Sequence, residues 1–127
     1  MNAVKNRKIW VSTSFIGFHK WVDAPEKIAY LRDLHRHKFN VKVFVDVTHD
    51  DREVEFHMLQ DYLRLCIPPQ YDIYTSSCED IATQIYTKLV NLGNNRLSRA
   101  LSTREVVIEV DEDGECGAVM HFSPRVL

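Results

Sequence analysis

The chain has 127 residues, 45% of them apolar, and a formal net charge of −2, which bounds it to a single domain, residues 1–127, able to bury a real core. Acids and bases are mixed along it, so no basic stripe marks a nucleic-acid partner, and no apolar run approaches the ~20 residues of a membrane span. Residues 1–8 lead into a strand with no apolar h-region, and the three cysteines, Cys66, Cys78 and Cys116, contain no C-x-x-C pair; the expectation is a cytoplasmic protein without disulfides.

Residues 9–19 are rich in β-branched and aromatic side chains and predict a first strand. Residues 20–34 hold mixed charges and read as a loop, with a short helix over 25–33 that Pro25 would open. Residues 36–47 alternate and predict a second strand, in which His35, His37, Phe39, Val41 and Val43 all point the same way. Phe56, Leu59, Tyr62, Leu63 and Cys66 fall at helical spacing, and Pro68-Pro69 stops that helix.

Residues 67–75 read as a loop. Ser76-x-x-Glu79 has the form of a capping box, opening a second helix whose face is Ile81, Ile85, Leu89 and Leu92 and which Gly93 ends. Arg96–Ser102 reads as an extra helical turn. Residues 104–111 predict a third strand, Glu112–Glu115 a turn, and Cys116–Phe122 a fourth strand. The order is ββααββ: an α+β domain, a four-stranded antiparallel sheet with two helices on one face.

Chemistry concentrates in three histidines. In Leu34-His35-Arg36-His37 a strand puts both imidazoles on one face, because side chains alternate with a period of two. His19 ends the first strand, and from a neighbouring position it would complete a three-nitrogen cup. That is the ligand set of a catalytic zinc site, with a fourth position left for water or substrate. Six histidines in 127 residues will also sometimes fall two apart by chance.

The ordered motifs supply more. Phe15 and His19 close the first strand, His35-Arg36-His37-Lys38-Phe39 opens the second, and Glu55-Phe56 leads the first helix. Ser77-Cys78-Glu79-Asp80 starts the second helix, and Val107-Ile108-Glu109-Val110 lies in the third strand. In this order, over about residues 9–122, the chain resembles the 6-pyruvoyl- and 6-carboxy-tetrahydropterin synthase family, built on the tunnelling fold. The resemblance implies zinc on His19, His35 and His37. It implies a pterin anchored by Glu109 through a pair of N–H donors, with Ser77, Cys78 and Glu79 lining the pocket from an adjacent subunit. It also implies a homo-oligomer, a trimer or a pair of stacked trimers, with sites at subunit interfaces. Read without it, Glu109 is an exposed strand residue, and Ser76 and Glu79 are a helix cap.

The sequence departs from that family at the acid–base groups. Leu31 stands where a catalytic cysteine is usual, four residues before His35, and the segment between the helices has no Asp-His pair. Arg36 replaces the glycine of H-G-H. Each lost proton transfer costs roughly 10²–10⁴ in rate. The candidates to replace those groups are Cys78, whose thiol a helix N-terminus would acidify, then Asp33 and His49, and behind them Asp50, Asp51, His57 and His121. Two functions follow. One is a zinc-dependent lyase of the pterin-synthase type, acting on a pterin triphosphate or related purine-derived small molecule. The other is a zinc- and heterocycle-binding module that binds or sequesters a pterin, purine or nucleotide without turnover. A purely structural α+β domain would need no metal.

Overall fold

The computed structural model describes residues 3–67, 70–91 and 95–125, of which 70–72 as backbone. The strands are β1 (Lys8–His19), β2 (His35–Asp46), β3 (Gln70–Asp72), β4 (Val106–Glu112) and β5 (Cys116–Phe122). The helices are α1 (Phe56–Cys66), α2 (Cys78–Asn91) and α3 (Arg96–Ser102), with a 3-10 helix over Glu26–Arg32. The four long strands form an antiparallel sheet in the order β1-β2-β4-β5. The expected architecture is therefore present, with two additions.

The first addition is β3, which pairs in parallel with Ile16–Phe18 on the outer side of β1. Three residues carry no readable alternation, so this segment reads as loop in the sequence. The second lies outside the four-strand, two-helix frame: α3 is the helical turn that the sequence predicts over Arg96–Ser102, capped by a reciprocal pair in which Ser98 N–H donates to Asn95 Oδ1 at 2.8 Å and Asn95 N–H donates to Ser98 Oγ at 3.2 Å. Pro68-Pro69 and Leu92–Gly93, expected to bound the helices, lie outside the described residues.

One face of the sheet carries the core. Val11 and Phe15 of β1, Phe39, Val41, Val43 and Val45 of β2, and Val106, Ile108 and Val110 of β4 are buried on it, the period-two row expected of a half-covered sheet. Onto that row α1 packs Leu59, Tyr62, Leu63 and Cys66, and α2 packs Ile81, Ala82, Ile85, Tyr86 and Leu89. Tyr62 Oη donates to the Leu89 carbonyl at 2.7 Å, tying the two helices together. The opposite face is more open: Val107 is buried on it, but Trp10, Phe18 and Val119 are about half exposed. Among the described residues, no helix is long and apolar enough to cross a membrane.

Two boundaries shift by one residue, and both matter for the site. The cap of α2 is Ser77/Asp80, not Ser76/Glu79. Asp80 N–H donates to Ser77 Oγ at 3.1 Å, and Ser77 N–H donates back to Asp80 Oδ2 at 3.2 Å. Both frames satisfy the box pattern. The backbone decides between them, because Ser76 N–H already donates to the Ile73 carbonyl and the Ser76 carbonyl is taken by His19. The third predicted strand also runs on to Glu112, paired with Phe39 on one side and Cys116 on the other.

Candidate metal centre

β1 and β2 leave the 20–34 connection with His19 and His35 as direct partners across the ladder, and His37 opposite Gly17. Paired residues point to the same face, so all three imidazoles stand on the core side, at the end of the valine row. Their ring centroids are 4.5, 5.2 and 4.8 Å apart. One ring nitrogen from each lies within 4.8 Å of the other two. Phe39 is the floor of the cup, its ring edge-on to His19 and His37 at 5.3 and 5.8 Å.

Hydrogen bonds fix which nitrogen faces inward. His19 Nδ1 meets the Ser76 carbonyl at 2.9 Å, His35 Nδ1 meets the Asp33 carbonyl at 2.8 Å, and His37 Nδ1 meets Asp113 Oδ2 at 2.7 Å. All three partners only accept, so each Nδ1 carries a proton, and in a neutral ring Nε2 is the nitrogen with the lone pair. An outer acceptor behind every ring is the support that metal-binding histidines have.

The fourth wall is Glu112. Its carboxylate lies 3.3 Å from His19 Nε2 and 3.5 Å from His37 Nε2. Both of those nitrogens are buried and make no hydrogen bond. In the neutral rings two lone pairs face the carboxylate oxygens, an arrangement that a cation between them relieves. The donor set of three neutral imidazoles beside a carboxylate suits zinc.

An open cleft of about 600 Å³ leads to this cup, lined by His19, Trp21, Leu31, Ser77, Cys78 and Glu112 among others. Ser77, Cys78 and Glu79 line it in the same chain as the histidines, from the start of α2. Cys78 is not an acidified thiol. Burial, then the neighbouring carboxylates of Glu112 and Glu79, push it up to about 12. Asp113 is held below the usual carboxylate range, first by its bond to His37 and then by the Lys38 N–H.

The other expected residues lie elsewhere. Glu109 pairs with Lys42 and Val119 and so points to the open face, opposite the histidines, as strand parity requires. Asp33 supports His35 with its backbone carbonyl, while its side chain is not among the cleft residues. His49 follows the far end of β2, roughly 35 Å of strand from His35, beside Glu53 at 3.5 Å. His57 is exposed on α1 against Glu55, and His121 lies on the open face beside Glu105. Glu112 is the residue that sequence reasoning passed over, because Glu112–Glu115 reads as a turn. The signal was present: Ile108, Val110 and Glu112 continue one period-two row.

No protein-family model matches the sequence, and no curated protein sequence matches it. Solved structures do. A 6-pyruvoyl tetrahydropterin synthase from Plasmodium vivax is 15% identical, with 94% of this chain and 99% of that one covered, at a TM-score of 0.68. A variant of the P. vivax enzyme, with a catalytic glutamate replaced by cysteine, is 16% identical with the same coverage at 0.69. The Caenorhabditis elegans 6-pyruvoyl tetrahydropterin synthase is 13% identical, covering 98% and 100%, at 0.64. This chain has the 6-pyruvoyl tetrahydropterin synthase fold. The likeness spans nearly the whole of both chains. At these identities the likeness is one of architecture.

Proposed function

We propose that the chain is a zinc-dependent enzyme of the pterin-synthase type, acting on a pterin triphosphate or a related purine-derived small molecule. The observation that carries the reading is the convergence of three supported imidazoles in one cup beside the Glu112 carboxylate, with His19, His35 and Glu112 lining an open cleft. Zinc held by His19, His35 and His37 would polarise a substrate oxygen and lower the pKa of a bound water. The residues of the chain supply the remainder. Glu112 offers two oxygens at the cleft wall, which match the paired N–H donors of a 2-amino-pyrimidinone edge; the anchoring role expected of Glu109 falls to it within one chain. Trp21, half exposed at the rim, gives a planar ring a face to lie against.

Leu31 lines the cleft where the usual thiol would stand, and in the metal-free chain burial holds the Cys78 thiol up at about 12. A carboxylate is the remaining kind of proton acceptor at the cup, and the P. vivax relative has a glutamate as a catalytic residue. Of the carboxylates that line the cleft, Glu112 is the one within 3.5 Å of His19 and His37 Nε2, while Asp113 is engaged by His37 Nδ1–H and Lys38 N–H. The test is incubation of zinc-loaded protein with dihydroneopterin triphosphate. Product formation that is lost in His37→Ala supports the enzyme. Tight binding of intact ligand without conversion favours the second reading, a module that binds or sequesters a pterin, purine or nucleotide, for which Leu31 is the supporting observation.

We further propose a homo-oligomeric assembly, in line with the open sheet face that shows Trp10, Phe18 and Val119. Sedimentation analysis of the purified protein tests it, and a strict monomer at micromolar concentration would remove it.

A further inference from the structure

The turn between β4 and β5 delivers two consecutive residues to opposite sides of one imidazole. Glu112 faces His37 Nε2, and Asp113 faces His37 Nδ1. Asp113 sits at φ 59°, in the left-handed region, followed by Gly114 at φ 75°. Aspartate and asparagine adopt that region more readily than other side chains, so a left-handed position alone does not call for a carboxylate.

Both carboxylate oxygens are nevertheless used. Oδ1 accepts from Lys38 N–H at 2.9 Å, and Oδ2 accepts from His37 Nδ1–H at 2.7 Å. Asp113 N–H donates to the Lys38 carbonyl at 2.7 Å. These bonds clamp the side chain onto the β2 segment that carries His37, which fixes its rotamer. His19 and His35 lean on neutral backbone carbonyls. His37 alone of the three leans on an anion.

We propose that Asp113 is a positioning residue for the metal: it locks the His37 ring and tautomer, strengthens Nε2 as a donor, and sets the zinc affinity of the cup. The inference rests on the metal reading of the three histidines. Physically, a carboxylate behind an imidazole stabilises the partial positive charge that the ring takes on when its other nitrogen donates to a cation. A backbone carbonyl does this less well, having no net charge.

An asparagine separates this role from a merely structural one. Asp113→Asn keeps the left-handed turn and one oxygen for the Lys38 N–H. It then turns an amide N–H toward His37 Nδ1–H, donor against donor. Asp113→Gly keeps the turn with no side chain at all and stands in should the asparagine variant fold poorly.

Zinc affinity would be measured by competition with a chromogenic chelator, alongside thermal melting of the metal-free proteins. The expected result is one zinc per wild-type chain and a loss of about 10–100-fold in Asp113→Asn, with the metal-free variant still melting cooperatively and lowered only by the loss of its bond to His37. The His37 Nδ1–H proton resonance, visible without metal, should disappear in the variant. Wild-type zinc binding with unchanged affinity in both variants overturns the role of Asp113 and leaves the metal site standing. Absence of zinc from the wild-type chain overturns the metal reading and this inference with it.

Discussion

Phe39 and Glu112 are direct partners across the β2–β4 ladder, so one rung supplies both the apolar floor and the anionic wall of the histidine cup. Phe39 is fully buried and stacks on Phe15 at 5.2 Å. Phe39→Ala should destabilise the fold by about 3–5 kcal/mol and loosen His19 and His37, which rest on its ring. Denaturant titration reads the first effect and zinc titration the second; a loss well under 1 kcal/mol would show that the pocket beneath the histidines refills.

Metal binding to the cup should appear as stability. A ligand that binds the folded state alone adds RT ln(1 + [L]/Kd), about 2.7 kcal/mol at a hundredfold excess over Kd. Zinc should therefore raise the melting temperature of the wild-type chain, and EDTA should reverse it. His37→Ala should show no such rise, having lost an inward Nε2.

The one-residue shift of the helix cap makes a sharp comparison. Ser77→Ala removes the acceptor for Asp80 N–H and should cost about 1 kcal/mol. Ser76→Ala removes an acceptor for Gln84 Nε2 only, a solvent-exposed bond, and should cost less than half as much. Equal losses in urea titrations would contradict the Ser77/Asp80 frame.

Cys78 should be chemically silent. With its thiol pushed up to about 12, the thiolate fraction at pH 8 is roughly one in ten thousand, and the group is buried. Iodoacetamide at pH 8 should label the exposed Cys116 and spare Cys78, as mass spectrometry would read. Because the folded pKa lies above the unfolded one, the contribution of Cys78 to stability is full below about pH 9 and is lost as pH rises toward 12. Cys78→Ala should flatten that alkaline decline.

Gly117 closes the cleft from β5. A Cβ there would stand 2.1 Å from the Val110 carbonyl oxygen and 2.6 Å from Asp111 Cα, both backbone atoms that cannot swing aside. Gly117→Ala should cost about 1–3 kcal/mol by forcing β4 and β5 apart, and should weaken zinc binding because β4 carries Glu112. Wild-type stability in this variant would mean that the strands part freely at that rung.

The amino-acid sequence by itself determined the order of the long strands and helices, β3 apart, and the core. Alternating valines from Val41 to Val45 make β2 a half-buried strand, and Leu59, Leu63, Ile81, Ile85 and Leu89 recur at helical spacing, because burial periodicity is a local property of the chain. It also determined that His35 and His37 share a face, and it carried the family motifs that pointed to this fold. What only the tertiary structure decided is register and partnership. Whether His19 meets His35 depends on the β1–β2 ladder. Whether Glu109 or Glu112 reaches the cup depends on where β4 ends and which face it turns inward. The choice of Ser77 over Ser76 as the cap depends on a carbonyl already claimed by His19, 57 positions away in the sequence. A one-residue slip moves a strand side chain to the other face, and local periodicity is blind to that slip at the ends of elements, where the catalytic candidates of this chain lie.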